Sequence, residues 1–325
     1  LLEMSCLQSL NDMFDAAANA TSNDMSALPS AMVSAAVSYV TQALPTVFGQ
    51  AERTAEDRRY TTYTEKDAFL PADAQYAIGR ASAKIPGWDF QQIPYIDAWG
   101  RTEASGGAGK RAFNNFLNPA YTSTIAMSDM ERELKRLYDA TDDGGVLPSR
   151  AAKYFTVNGE RKDLTAQEYV KYATLSGQGA YRAMNEIVSS KDYAAMGDEE
   201  KAAVVKDAYS LANAAAKTAI SDYMPDAAWM RNAIEAEKKY HISQGTFLLL
   251  RRRTADIGAL KKPDGDAIKD SKGLLIMQEV YSVPGLSDEQ RQALFEYFGV
   301  GKNVIHLNKA AVEEKLTKLK KQAGK

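Results

Sequence analysis

Few side chains in this sequence have the types and spacing that chemistry requires. Its 325 residues hold two histidines, His241 and His306, and one cysteine, Cys6. The histidines fall on different predicted elements, and neither has a histidine partner four residues away or cysteines at zinc-ligand spacing. Both read as surface or capping residues. Cys6 lies inside an apolar helical stripe with Leu2, Met4, Leu7, Leu10 and Phe14, where a lone thiol is inert, and it leaves no partner for an intramolecular disulfide.

Ala104-Ser105-Gly106-Gly107-Ala108-Gly109-Lys110-Arg111 has the look of a phosphate loop, but its spacing fails. Such a loop needs Gly five residues before the Gly-Lys pair, Ser or Thr after the Lys, and a strand in front. This chain offers Ala104, Arg111 and a polar loop, so a flexible connection into a helix near residues 112–117 is expected. Pro263-Asp264-Gly265-Asp266 likewise reads as a turn and not a calcium loop, because Ile268 takes the fifth position and no closing Glu follows. Acidic residues sit mainly in capping boxes and on solvated helix faces, which leaves no isolated pair for glycan hydrolysis. The basic run Arg251, Arg252 and Arg253, with the tail lysines, is the candidate nucleic-acid contact. It has no aromatic interleaving, and with a formal net charge of -2 any such contact must be local. No catalytic residue, cofactor site or metal ligand emerges, and no enzyme is expected.

The elements that would position these residues are helices. The organising stretch is Asp198 to Met224: Ala202, Val205, Tyr209, Ala212, Ala216, Ala219 and Tyr223 recur at steps of three and four, forming a helix-packing face. Val204, Ala208, Leu211 and Ala215 run beside it, so the buried face is wide and small, and neighbouring helices can come close. Ser128 with Glu131, Thr165 with Glu168 and Ser287 with Gln290 are capping boxes that each open a helix. Further helices are expected over 227–240, over 246–257 opened by Ser243, and from a Ser271 cap through Val280. Asn158-Gly159 between short β-prone runs predicts one small hairpin.

Residues 60–127 are the least regular, with a short helix after Pro71 and an aromatic loop, IPGWDFQQIPYIDAWG, folding over the helices. Residues 25–51 carry no charge. Their serines, threonines, glutamines and Pro45 favour a buried kinked core helix, with membrane contact as the alternative. The chain opens on Leu1 within a helical pattern and has no basic segment of the kind that starts a signal peptide, so a piece of a longer polypeptide is expected.

AAKYFTVNGERKDLTAQEYVKYA, DYAAMGDEEKAAVVKDAYSLANAAAKTAI and GLSDEQRQALFEYFG, taken in that order, resemble the helical region of large polyvalent protein-associated domains. These occur in very long proteins of bacteriophages, prophages and other mobile elements. LLEMSCLQSLNDMF and ALPTVFGQAERTAEDRR are similar to the same family, so the resemblance spans most of residues 1–300. The basic tail after Gly301 departs from it. The resemblance implies a segment of a multi-domain phage-type protein, packaged in the virion or delivered with DNA, or residing in the bacterial host cytoplasm, and it brings no catalytic residues. Its partners would be other domains of the same polypeptide or phage proteins.

The expected fold is mainly α: a multi-helix array with one small β-hairpin and an irregular aromatic loop region. Three parts are expected: an irregular helical region over 1–147, a compact helical domain over 148–301 opened by the hairpin, and a basic amphipathic tail over 302–325. The expected function is a non-enzymatic structural or interaction segment. The alternatives are membrane contact through 25–51 and DNA association through the local basic patches.

Overall fold

The computed structural model describes residues 60–66, 68, 70–82, 92–102, 128–157 and 159–323. The apolar helical stripe around Cys6, the uncharged stretch 25–51 and the glycine-rich loop 104–111 lie outside them. In chain order the described elements are β1 (Tyr60–Thr62), α1 (Ala72–Ser82), β2 (Gln92–Pro94), α2 (Asp129–Thr141), a 3-10 turn (Gly144–Val146), β3 (Tyr154–Val157), β4 (Glu160–Asp163) and α3 (Ala166–Val188). There follow α4 (Lys191–Ala195), α5 (Asp198–Ile220), α6 (Ala228–Tyr240), α7 (Gln244–Ala255), α8 (Ser271–Ser282), α9 (Asp288–Tyr297) and α10 (Lys309–Gln322). The protein is mainly helical, with one small two-strand sheet and one hairpin among the described residues.

The chain divides into two units, but not at the expected boundary after residue 147. Among the described residues, one unit takes those within 60–97, 101–102 and 152–171; the other takes 98–100, 128–151 and 172–323. The hairpin therefore groups with β1 and α1 and does not open the helical array. The reason lies in Tyr63, which is buried, donates its hydroxyl to the Leu164 carbonyl at 2.8 Å and meets the Tyr169 ring at 5.1 Å.

In the first unit β1 and β2 pair antiparallel with Thr61 opposite Ile93, a pairing hidden within the aromatic loop. Gln75 of α1 is fully buried, and its amide donates to the Glu65 and Leu70 carbonyls and accepts from the Glu65 N–H, fixing the loop between β1 and α1. The hairpin joins β3 to β4 across a two-residue turn in which Gly159 takes φ +84. Phe155 is the one buried residue of the two hairpin strands.

In the second unit α5 is central, packing against α2, α6, α7 and the 3-10 turn. Of the predicted face, Ala202, Val205, Ala212 and Ala216 are buried and Tyr209 is half-buried, while Ala219 is exposed and Tyr223 lies beyond the helix. The helix stops at Ile220, short of the expected Met224. Ser221 turns extended and its hydroxyl donates to the Lys217 carbonyl, while Thr218 donates to the carbonyls of Ala214 and Tyr223. Hydroxyls competing for backbone carbonyls end the helix before Pro225 is reached.

All three capping boxes form. Ser243 caps α7 through the Thr246 N–H at 3.1 Å. Ser271 does not cap α8: the cap position is Asp270, at φ 61, and Ser271 is buried in the first turn. Its hydroxyl instead accepts from the Leu260 N–H and donates to the Ile268 carbonyl, closing the base of the 256–270 loop. The tail is no separate part either, since Val312 and Leu316 of α10 are buried in the core of the second unit. No described helix is long and apolar enough to cross a membrane.

Candidate functional site

The arginine run occupies the last two turns of α7, where successive residues point about 100° apart around the axis. Three neighbours therefore reach three different places. Arg251 pairs with Asp207 of α5 at 2.7 Å and lies over the Trp229 ring of α6, 4.2 Å from its centroid. Arg252 pairs with Glu200 in the first turn of α5. Arg253, the most covered of the three, holds Glu279 of α8, Ser282 beyond it and Asp192 of α4. Each guanidinium, proposed above as a phosphate contact, is engaged by a carboxylate of another helix. The arginines act here as ties between helices.

Between α5 and α7 these ties leave a shallow cleft of about 350 Å³, floored by Val204 and Leu248 and rimmed by Asp207, Arg251, Arg252 and Thr254. Its charged rim is neutralised within itself: the Arg252 guanidinium beside Glu200 holds that carboxyl below its ordinary range, and Glu200 raises Arg252 in turn.

A second polar cluster joins α2, α4 and α5. Arg136 grips Glu133 through two bonds at 2.7 and 2.9 Å and reaches Asp198 at 2.8 Å, and the Tyr193 hydroxyl donates to Glu133 at 3.1 Å. The Arg136 hydrogen bonds lower the Glu133 and Asp198 carboxyls, while burial raises the Tyr193 phenol. A carboxyl pushed down and a phenol pushed up both move away from neutral pH, the reverse of what a general acid and base need. Burial lowers Lys153 and Lys217, the latter lying over the Tyr223 ring at 5.2 Å, but the two belong to different units.

A third feature was not legible in the sequence. Glu186 of α3 accepts from the Ser243 hydroxyl at 2.7 Å and from the Thr246 hydroxyl, placing a carboxylate at the N-terminus of α7. It is favourably placed against the positive end of the helix dipole. Ser243 announces the cap, but nothing local says that a carboxylate 57 residues away will complete it.

His241 is the exposed C-cap of α6, in the left-handed region at φ 56, and His306 is exposed before α10. No metal-binding cluster of three acidic, histidine or cysteine side chains occurs among the described residues. No family model, curated protein or solved structure matches this chain.

Proposed function

We propose that this chain is a non-enzymatic helical interaction segment, one part of a large multi-domain protein of phage, prophage or mobile-element type. The observation that carries the non-enzymatic reading is the use of the arginine run: Arg251, Arg252 and Arg253 each end on a carboxylate of a neighbouring helix. The side chains that suggested chemistry are employed in holding the array together. Supporting it, the Glu133 and Tyr193 pair is shifted away from neutral pH, and the histidines stand on separate surface positions. Such an array works by presenting rigid helical surfaces to other domains of the same polypeptide. The phage-type origin rests on the sequence resemblance alone.

Antiserum against the chain, used to blot producing cells and purified phage particles, tests the reading. A band far above the 35.6 kDa of this chain is expected. A sole band near 35.6 kDa would overturn it, as would a hydrolase activity abolished by one acidic substitution.

A further inference from the structure

Residues 301–325 carry seven lysines and two glutamates, a formal +5, while the remaining 300 residues carry -7 within the total of -2. The tertiary structure determines what that charge can meet. Leu307, just before α10, accepts from the Tyr281 hydroxyl near the C-terminal end of α8, and α8 with α10 is the most extensive helix pairing among the described residues. The segment before α10 lies at the other end of α8, with Gly301 beside Asp270 and Val304 packed on Gly273.

Val312 and Leu316, the apolar side of α10, are buried, and Leu319 packs on the same core. Lys302, Lys309, Lys315 and Lys321 remain exposed with no carboxylate at ion-pair distance among the described residues, while Lys318 pairs with Glu314. Lys315, Lys318 and Lys321 recur every three residues and so form a stripe along α10. The aspartates at 256, 264, 266 and 270 offset the lysines of the neighbouring 256–272 loop, which leaves the surplus charge on α10 and the segment before it.

We infer that this lysine face, and not the Arg251–Arg253 run, is a surface for the phosphate backbone of a nucleic-acid duplex. A membrane-surface helix needs an apolar side free to enter the lipid, and that side of α10 is already spent on α8. Protein interfaces are depleted of lysine and favour arginine and aromatic anchors, none of which the α10 segment contains. Exposed lysine point charges without an anchor suit sequence-independent binding by counterion release. The inference does not depend on the phage-type reading.

The test uses the whole chain, a labelled mixed-sequence DNA duplex, and phosphatidylcholine vesicles containing phosphatidylserine. The duplex should bind at low salt, with affinity falling steeply as salt rises. The triple variant Lys315→Gln, Lys318→Gln, Lys321→Gln should bind at least about tenfold more weakly and lower the slope of log affinity against log salt by roughly 2–3. All three side chains are exposed, so an unchanged circular dichroism spectrum and melting temperature separate lost binding from lost fold. Absence of duplex binding at low salt overturns the inference, as does full binding by the triple variant. Vesicle binding without duplex binding overturns it in favour of a lipid surface.

Discussion

Gly177 and Gly179 lie two residues apart on α3, both buried, and the same substitution at each should have opposite effects. A methyl group on Gly177 would stand 2.1 Å from the Gly100 nitrogen and 2.5 Å from the Trp99 carbonyl carbon, with only backbone to yield. From the other side, a side chain on Gly100 would meet the Thr174 carbonyl oxygen at 2.4 Å, and Gly100 already sits at φ +70. Gly177→Ala must therefore push the 98–100 segment off the helix by more than an ångström. That segment carries Trp99, which is 4% exposed, donates to Glu131 at 2.9 Å and packs on Tyr181 and Tyr209. Overpacking costs about 1–3 kcal/mol and full loss of a buried tryptophan about 3–5, so strain with partial loss of Trp99 costs about 3–4. The gain in helix propensity returns about 1 kcal/mol. The net expectation is a loss of about 2–3 kcal/mol, or a melting temperature lower by roughly 5–10 °C, with a shift in tryptophan fluorescence. At Gly179 the added methyl would meet only the Ala212 methyl at 3.4 Å, an ordinary contact, so Gly179→Ala should gain about 0.5–1 kcal/mol. Thermal unfolding by circular dichroism of both variants decides the matter. If Gly177→Ala is as stable as Gly179→Ala, the close approach of the two backbones is refuted.

Two further expectations follow from the polar ties. Glu133 is held below its ordinary value first by the hydrogen bond from Arg136, so its stabilisation is complete above the unfolded value near 4.5 and is lost as pH falls through the folded one. Glu133→Gln should therefore flatten the fall in urea midpoint below about pH 4.5, and an unchanged acid limb would contradict the assignment. Arg253 and Glu279 are both less than a third exposed, and a double-mutant cycle with methionine at each should give a coupling of about 1–2 kcal/mol. Additive effects would mean that the pair does not tie α7 to α8.

Much of the helical architecture was legible locally. Capping boxes at Ser128, Thr165 and Ser287 involve residues three apart, so a short stretch of sequence contains both partners of each bond. Asn158-Gly159 marked the hairpin for the same reason, since a left-handed turn residue needs no distant help. The local signals misled where a hydroxyl had more than one partner available. Ser271 has the chemistry of a cap, yet Leu260 and Ile268 claim its hydroxyl. The helical stretch was expected to reach Met224, but the Thr218 and Ser221 hydroxyls bond backbone carbonyls where α5 ends at Ile220.

The sequence by itself placed the helices that open on local caps and marked which of their faces are apolar, because those properties depend on residue type and on spacings of three and four. Only the tertiary structure decided what the charges are for. Whether Arg251 faces a phosphate or Asp207, and whether α10 offers its apolar side or its lysines, depends on which helices lie beside them. Asp207 stands 44 positions from Arg251 in the chain, and α10 packs on α8, a separate helix. Charge is a local property of the chain, but its pairing is a property of the packed array.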